Sequence, residues 1–434
     1  MSPLFVGAAG IAALFVLILA QVPIGFAMII VGVAGYALQA GWGPALTILA
    51  SEPAGLLSSV DLATVPLFLL MGTFASAAGF SGDIYRAAAA FLGHRRGGLA
   101  YATIGGCAAF GAVCGSSTAT AATFAKAALP EMLRRGYSDG FSAGTIAGGG
   151  TLKSLIPPSI VMILYCIAAR TFIFDLFVAA IVPALLAIAL NLAAIWLVVR
   201  LEPGIAPQTS RAARRERVAA LKGAAPVLVL MAAVFGGLYS GVFTVNEAAS
   251  VAAVLALAFA LARGRLDRRS LWRGLRESAA ATAMIYLIII GASVFTYFMT
   301  LARVPEALIG AIGGLGAPPV VIVLFLLVAY LVLGAVFDEI AAMLITLPFV
   351  LPIILDLGYD AVWWGIVNVV VIELGMIIPP IGIIVFVLHG LAPDIALRTI
   401  YRGVLPFIVA DLVLLGLLTL FPDIALALPR ALKG

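Results

Sequence analysis

Residues 129–158 read LPEMLRRGYSDGFSAGTIAGGGTLKSLIPP, and residues 351–380 read LPIILDLGYDAVWWGIVNVVVIELGMIIPP. Leu129-Pro130, Gly136-Tyr137 and Ile156-Pro157-Pro158 return as Leu351-Pro352, Gly358-Tyr359 and Ile378-Pro379-Pro380, every member displaced by 222 residues. Common helix-punctuation residues do not fall into register this often by accident, so the chain is read as two related halves.

Around these segments the chain is overwhelmingly apolar. Of 434 residues 64% are hydrophobic and 10% charged, with a mean hydropathy of +1.20. No water-soluble core absorbs that much apolar surface, so a soluble enzyme is excluded and an all-α polytopic membrane protein is expected. Apolar runs from Phe5 to Leu428 leave room for roughly a dozen crossings or re-entrant segments. Met1-Ser2-Pro3 carries no basic stretch of the kind that opens a cleaved signal, so Leu4 onward is expected to be a retained span of a chain beginning at residue 1. Cys107, Cys114 and Cys166 all sit in apolar segments and are expected to be packing residues rather than a disulfide framework.

The formal charge of +5 orients helices; nucleic acid is a poor explanation for it. Basic residues cluster at Arg95-Arg96, Arg134-Arg135, Arg398 with Arg402, and in the loops 200–222 and 263–276, all expected on the cytoplasmic side. The roughly forty residues between the two large loops form a helical hairpin turning near Gly241 to Asn246. The segment at about 97–134 is bracketed by basic residues, so it is expected to enter and leave on the cytoplasmic side as a re-entrant hairpin. The segment at about 318–357 is flanked by stretches poor in Lys and Arg and is expected to open outward. The halves, 1–222 and 223–434, therefore form an inverted-topology repeat with both chain ends outside.

Each hairpin precedes a helix expected to be broken, at about 139–169 and 361–391. The breaks run from Gly148-Gly149-Gly150 to Pro157-Pro158 and from Gly375 to Pro379-Pro380, since a double proline interrupts a helix. Unwound backbone at membrane depth persists where it is buried in protein or lines a cavity, which is where transporters place ions and substrate. A structural kink is the plainer alternative.

The first hairpin tip, Gly111 to Thr120, offers the successive hydroxyls Ser116, Ser117 and Thr118. They suit a small hard cation such as Na⁺, or cap two half-helices. The matching second tip, Phe337-Asp338-Glu339-Ile340, carries two adjacent acids, a functional signal inside a membrane unless the tip is a wet outer loop. Lys153, Thr151, Ser159 and Glu373 are the candidate substrate residues on the breaks. Lys153 is either a counter-ion for a substrate carboxylate, the replacement for a bound cation, or the partner of a carboxylate such as Glu373. With only His94 and His389 there is no HExxH zinc site, and no GxGD or GxGxxG motif sits in a suitable context, so catalysis and organic cofactors are not expected.

The runs GSSTATAATFAKAALPEMLRRGY (Gly115–Tyr137), AGGGTLKSLIPPSIVMILYCIA (Ala147–Ala168), GGLYSGVFTVNEAASVAA (Gly236–Ala253) and ELGMIIPPIGIIVFVL (Glu373–Leu388) closely resemble the large membrane subunit of tripartite ATP-independent periplasmic (TRAP) transporters, the DctM type. The resemblance covers nearly the whole chain. It implies an elevator-type, Na⁺-driven permease for a small organic anion in the bacterial inner membrane, surrounded by lipid. It also implies a small membrane subunit of about four helices and a periplasmic substrate-binding protein. Carried over by position, one sodium site would use Ser116, Ser117, Thr118 and backbone at Gly150, and the second Asp338, Glu339 and backbone at Gly375 and Ile378. Two positions depart from the family pattern: Val245-Asn246-Glu247 stands for Pro-Thr-Glu, and Lys153 stands where glycine is frequent. The rival readings are a stand-alone anion transporter, sodium- or proton-coupled, and a channel or scaffold.

Overall fold

The computed structural model describes residues 2–208, 210–314 and 316–433; Met1, on which the expected start of the chain rests, lies outside them. Regular structure among the described residues is helical throughout. The first half contains α1 (Pro3–Leu19), α2 (Ile24–Ala40), α3 (Trp42–Leu57), α4 (Thr64–Ala77), α5 (Phe80–Leu92), α6 (Gly98–Cys114), α7 (Ser117–Ala127), α8 (Leu129–Arg134), α9 (Asp139–Thr151), α10 (Ile160–Ala169) and α11 (Ile173–Leu201). The second contains α12 (Arg214–Tyr239), α13 (Val245–Ala262), α14 (Arg268–Leu301), α15 (Val304–Gly314), α16 (Pro319–Val336), α17 (Glu339–Asp356), α18 (Ala361–Gly375), α19 (Ile383–Leu391), α20 (Leu397–Leu420) and α21 (Asp423–Lys433). Among the described residues eight helical segments are long and apolar enough to cross a membrane, nine if α9 and α10, bent 41° apart, count as one interrupted span.

The hairpins are α6 to α8 and α16 to α17, and the interrupted helices are α9–α10 and α18–α19. In the first hairpin Pro130 separates α8 from α7 at Ala128, whereas α17 runs unbroken across Pro348 and Pro352. At the same displacement α3 and α4 together correspond to the single long α14, so the first half is broken where the second is continuous, and Ala45 is the only buried residue of α3.

Helix directions follow from the contacts. Gly140 packs on Thr399, Gly144 on Gly403, Gly148 on Phe407, and Thr151 bonds Asp411, so α9 and α20 run side by side in the same direction. Glycines four residues apart permit this backbone-to-backbone approach: a Cβ at Gly144 or Gly403 would fall on the facing carbonyl. By contrast α11 runs the opposite way, its Val199 meeting Gly97 and the following Ile205 accepting from Ser138 N at 3.1 Å, beside the start of α9. Because α11 and α20 hold equivalent places in the two halves, their opposed directions make the repeat inverted.

These contacts also gather the basic clusters at one end of the molecule. Residues 94–97 lie beside the end of α11, Gly136 beside Pro207, and Gly140 beside Thr399 at the foot of α20. Arg263 ties its loop to the foot of α12 through Gly223 O at 2.5 Å, and pairs with Asp83 of α5. At the other end Gly7 of α1 packs on Ala302 and Val304.

One expectation is corrected. The chain does not unwind at Gly148-Gly149-Gly150: α9 stays helical through Thr151, and the break is a single 3₁₀ turn, Leu152–Leu155, followed by extended backbone at Ile156 and Ser159. The physical reason is packing. Glycine in a helix interior costs about 1 kcal/mol against alanine, yet here it lets Phe407, Cys107 and Ala121 lie directly on the α9 backbone. In the second half the helix does end at Gly375, and both Pro157-Pro158 and Pro379-Pro380 are cis.

Candidate functional site

Both hairpin tips and both breaks converge on one buried polar cluster. At the first tip α6 ends at Cys114, Gly115 turns the chain with φ of 71°, and Ser116 caps α7 by accepting from Ala119 N at 3.3 Å. Ser117 is the first residue of α7 and points inward, its hydroxyl 2.7 and 2.8 Å from the two oxygens of Glu373 and 3.4 Å from Glu339 Oε2. At the second tip Asp338 caps α17 by accepting from Ile340 N at 3.1 Å and stays exposed, which leaves Glu339, the first residue of α17, turned inward and buried. The same rule acts at both tips: a capping residue faces out, so its successor faces in.

The 3₁₀ turn of the first break carries Lys153, which is completely buried. Its ammonium lies 3.0 Å from Glu339 Oε1 and 3.8 Å from Glu373 Oε1, and donates to Gly115 O at 3.2 Å. Neighbouring Ser154 bonds Glu373 Oε1 and lies 3.3 Å from Glu339 Oε2. Glu373 comes from the last turn of α18. The cluster therefore holds one ammonium against two carboxylates, with two serine hydroxyls bridging them. Ions this deep persist only when paired and hydrogen-bonded.

Among the residues singled out from the sequence, Ser117, Lys153, Glu339 and Glu373 come together. Ser116 and Thr118 do not join them; their hydroxyls pair with each other at 3.1 Å on the other side of the tip. Gly150 lies on the Ser117 carbonyl and Ala121, while Gly375 lies on the Gly334 backbone, where a Cβ would come within 2.7 Å. Ile378 sits in the turn after α18, donating its N–H to Gly375 O at 3.2 Å. Buried Ser159 begins α10 with its hydroxyl unpartnered among the described residues. Thr151 points away, to Gly148 O at 2.8 Å and Asp411 Oδ2 at 3.3 Å. Sequence reasoning missed one participant, Ser154, adjacent to Lys153, and also a separate buried pair away from the cluster, Asp411 and Asn191, joined at 3.2 Å through Asn191 Nδ2. Asp411 was findable as an acid within an apolar span. A separate cleft of about 1050 Å³, lined by Asp61, Arg170, Phe172, Thr244, Asn246 and Glu247, opens away from the basic end and contains none of the tip residues.

Two hairpins meeting tip to tip beside two interrupted helices, in an inverted repeat with a buried ionic centre, define a polytopic helical membrane carrier. The family model for the tripartite ATP-independent periplasmic transporter, DctM component, matches residues 11–424, and the chain belongs to that family. The C4-dicarboxylate TRAP transporter large permease protein DctM of Pseudomonas aeruginosa is 37% identical over 370 residues, covering 85% of this chain and 86% of that protein. The sialic acid TRAP transporter large permease protein SiaM of Vibrio cholerae is 29% identical over 420 residues, covering 96% and 97%. The crystal structure of the Alcanivorax borkumensis YdaH transporter shares the fold, with a TM-score of 0.59, 17% identity and 91% of each chain covered. Relatives in this family are transport permeases, so the chain is a transport protein and not an enzyme.

Proposed function

We propose that this chain is the permease subunit that takes up a small organic acid, a carboxylate, across the bacterial inner membrane by Na⁺-coupled secondary transport. The observation that carries the reading is the meeting of both hairpin tips at Ser117, Glu339 and Glu373, where oxygen ligands from both halves of the inverted repeat face one another. Sodium would be drawn to the oxygen-rich faces of the tips, around Ser116, Ser117, Thr118 and Gly150 on one side and Asp338, Glu339, Gly375 and Ile378 on the other. Of the residues expected on the substrate side, Lys153 and Glu373 are taken up within the cluster itself and Thr151 in its contact with Asp411, which leaves the buried, unpartnered Ser159 hydroxyl for the substrate side of the break. The hairpins with α9, α10, α11, α18, α19 and α20 form the body that moves as an elevator against the remaining helices, because α20 is interlocked with α9 through Gly144 and Gly403 and α11 is tied to α20 through Asn191 and Asp411. The Gly72–Cys114 contact, where α4 lies against the end of α6, sits at that sliding boundary. A small membrane subunit and a periplasmic binding protein complete the transporter, and the basic end faces the cytoplasm.

The test is uptake of a labelled C4-dicarboxylate into proteoliposomes containing this chain, its small subunit and its binding protein. Uptake in an inward Na⁺ gradient and not in choline supports the reading; equal uptake in both overturns sodium coupling. Uptake without the binding protein overturns the tripartite reading.

A further inference from the structure

We propose that the Lys153 ammonium is a tethered cation, filling as part of the chain a monovalent-cation site that both hairpin tips and the second break build together. The inference deepens the cation-coupled reading of this centre and rests on it.

Four observations carry it. The ammonium is held by oxygens alone, from three separate elements: Gly115 O at the first tip, Glu339 Oε1 at the second, and Glu373 Oε1 at the end of α18. A carbonyl freed at a left-handed glycine and two carboxylates are the donors a transporter break offers to an alkali cation. The lysine is also accommodated by a groove, because Gly111 of α6 faces its backbone and a Cβ there would collide with Lys153 Cβ and come within 2.9 Å of its Cα. No second lysine fits the equivalent place in the other half, where Gly375 is closed off by the Gly334 backbone. Finally, Lys153 is completely buried with its donors directed at these oxygens, so it presents no free charge to a substrate.

The consequence is ionic arithmetic. Glu339 and Glu373 lie together beside a single ammonium, so one further cation, a mobile ion or a proton shared between the two carboxyl groups, completes the balance. The two tips together then release one ion fewer per cycle than the number of cation positions they build, because one cation never leaves.

The experiment uses the assembled membrane complex in detergent, with thermal unfolding followed in choline and in Na⁺ for the native protein, Lys153→Ala and Lys153→Met. Alanine vacates the cation position and methionine fills it without charge. Lys153→Ala is expected to gain a Na⁺-dependent rise of roughly 5 °C beyond any native response, and Lys153→Met is not. An alanine variant indifferent to Na⁺, or a methionine variant gaining the same rise, overturns the proposal. If Lys153→Ala is not recovered folded, Lys153→Ala/Glu339→Gln, which removes the charges as a pair, is expected to be recovered in choline. Failure of that variant as well overturns the proposal. A native protein whose uptake ignores Na⁺ would defeat the coupling reading separately, since the gained stabilisation is read without transport.

Discussion

Ser117 and Glu339 hold equivalent places in the two halves, 222 residues apart, and the Ser117 hydroxyl lies 3.4 Å from Glu339 Oε2. Each follows the residue that caps the second arm of its hairpin, so the repeat itself brings the two inward-facing positions together. The halves diverge in chemistry at that point: a hydroxyl on one side, a carboxylate on the other, with Lys153 answering the carboxylate.

Lys153→Gln is expected to destabilise the protein by about 3–5 kcal/mol, because it leaves two buried carboxylates without their cation. The midpoint of thermal unfolding in detergent checks this, and Lys153→Arg should lose less because the charge is retained.

Asp338 separates capping from charge. Asp338→Asn keeps a good helix cap and should change stability by a few tenths of a kcal/mol, while Asp338→Ala should cost about 0.5–2 kcal/mol. Both are expected to raise the Na⁺ concentration needed for half-maximal uptake. A normal sodium titration in Asp338→Asn would mean that the carboxylate serves only as a cap.

Gly403→Val should disrupt the α9–α20 contact, because a Cβ there strikes the Gly140 carbonyl; overpacking of this kind costs about 1–3 kcal/mol or more. Gly416→Ala on the same helix faces open space and should be nearly neutral. The paired measurement is the yield of monodisperse protein together with its unfolding temperature.

Cysteine probes read orientation. Arg135→Cys is expected to label from the cytoplasm and Asp356→Cys from the periplasm, since both positions are exposed, at opposite mouths of their hairpins. Cys107 and Cys166 are buried, and the half-buried Cys114 is replaced by Ser so that the native background stays low. Labelling of both probes from one side would contradict the opposed hairpins.

Thr151→Val should cost about 1–3 kcal/mol by stripping a donor from buried Asp411. Asn191→Leu, which removes the other donor at 3.2 Å, should do the same, and the double variant should lose more than either alone.

Much of this architecture is legible in the sequence because proline pairs and tip residues are local signals. Pro157-Pro158 and Pro379-Pro380 mark interruptions wherever they occur in an apolar helix, and their common displacement exposes the repeat. The triple glycine misleads because glycine breaks helices in water, whereas at Gly148 to Gly150 it is the partner surface of Phe407, Cys107 and Ala121 that decides. Lys153 and Glu373 stand out as charges in apolar runs, but that Glu339 is the nearer partner depends on which way a capped turn points its second residue. Asp411 has no counterpart in the first half, so a search by repetition passes over it.

The glycine face of α9 has a consequence for how the protein is made. Its covering helix, α20, lies some 250 residues later in the chain, and α17 and α18, which deliver Glu339 and Glu373 to Lys153, also follow from the second half. While the ribosome is still translating those segments, α9 must reside in the lipid with exposed backbone and the lysine must wait without its carboxylates. The nascent first half is thus an unfinished surface, and truncation anywhere before α20 should leave a chain fit for degradation rather than half a carrier.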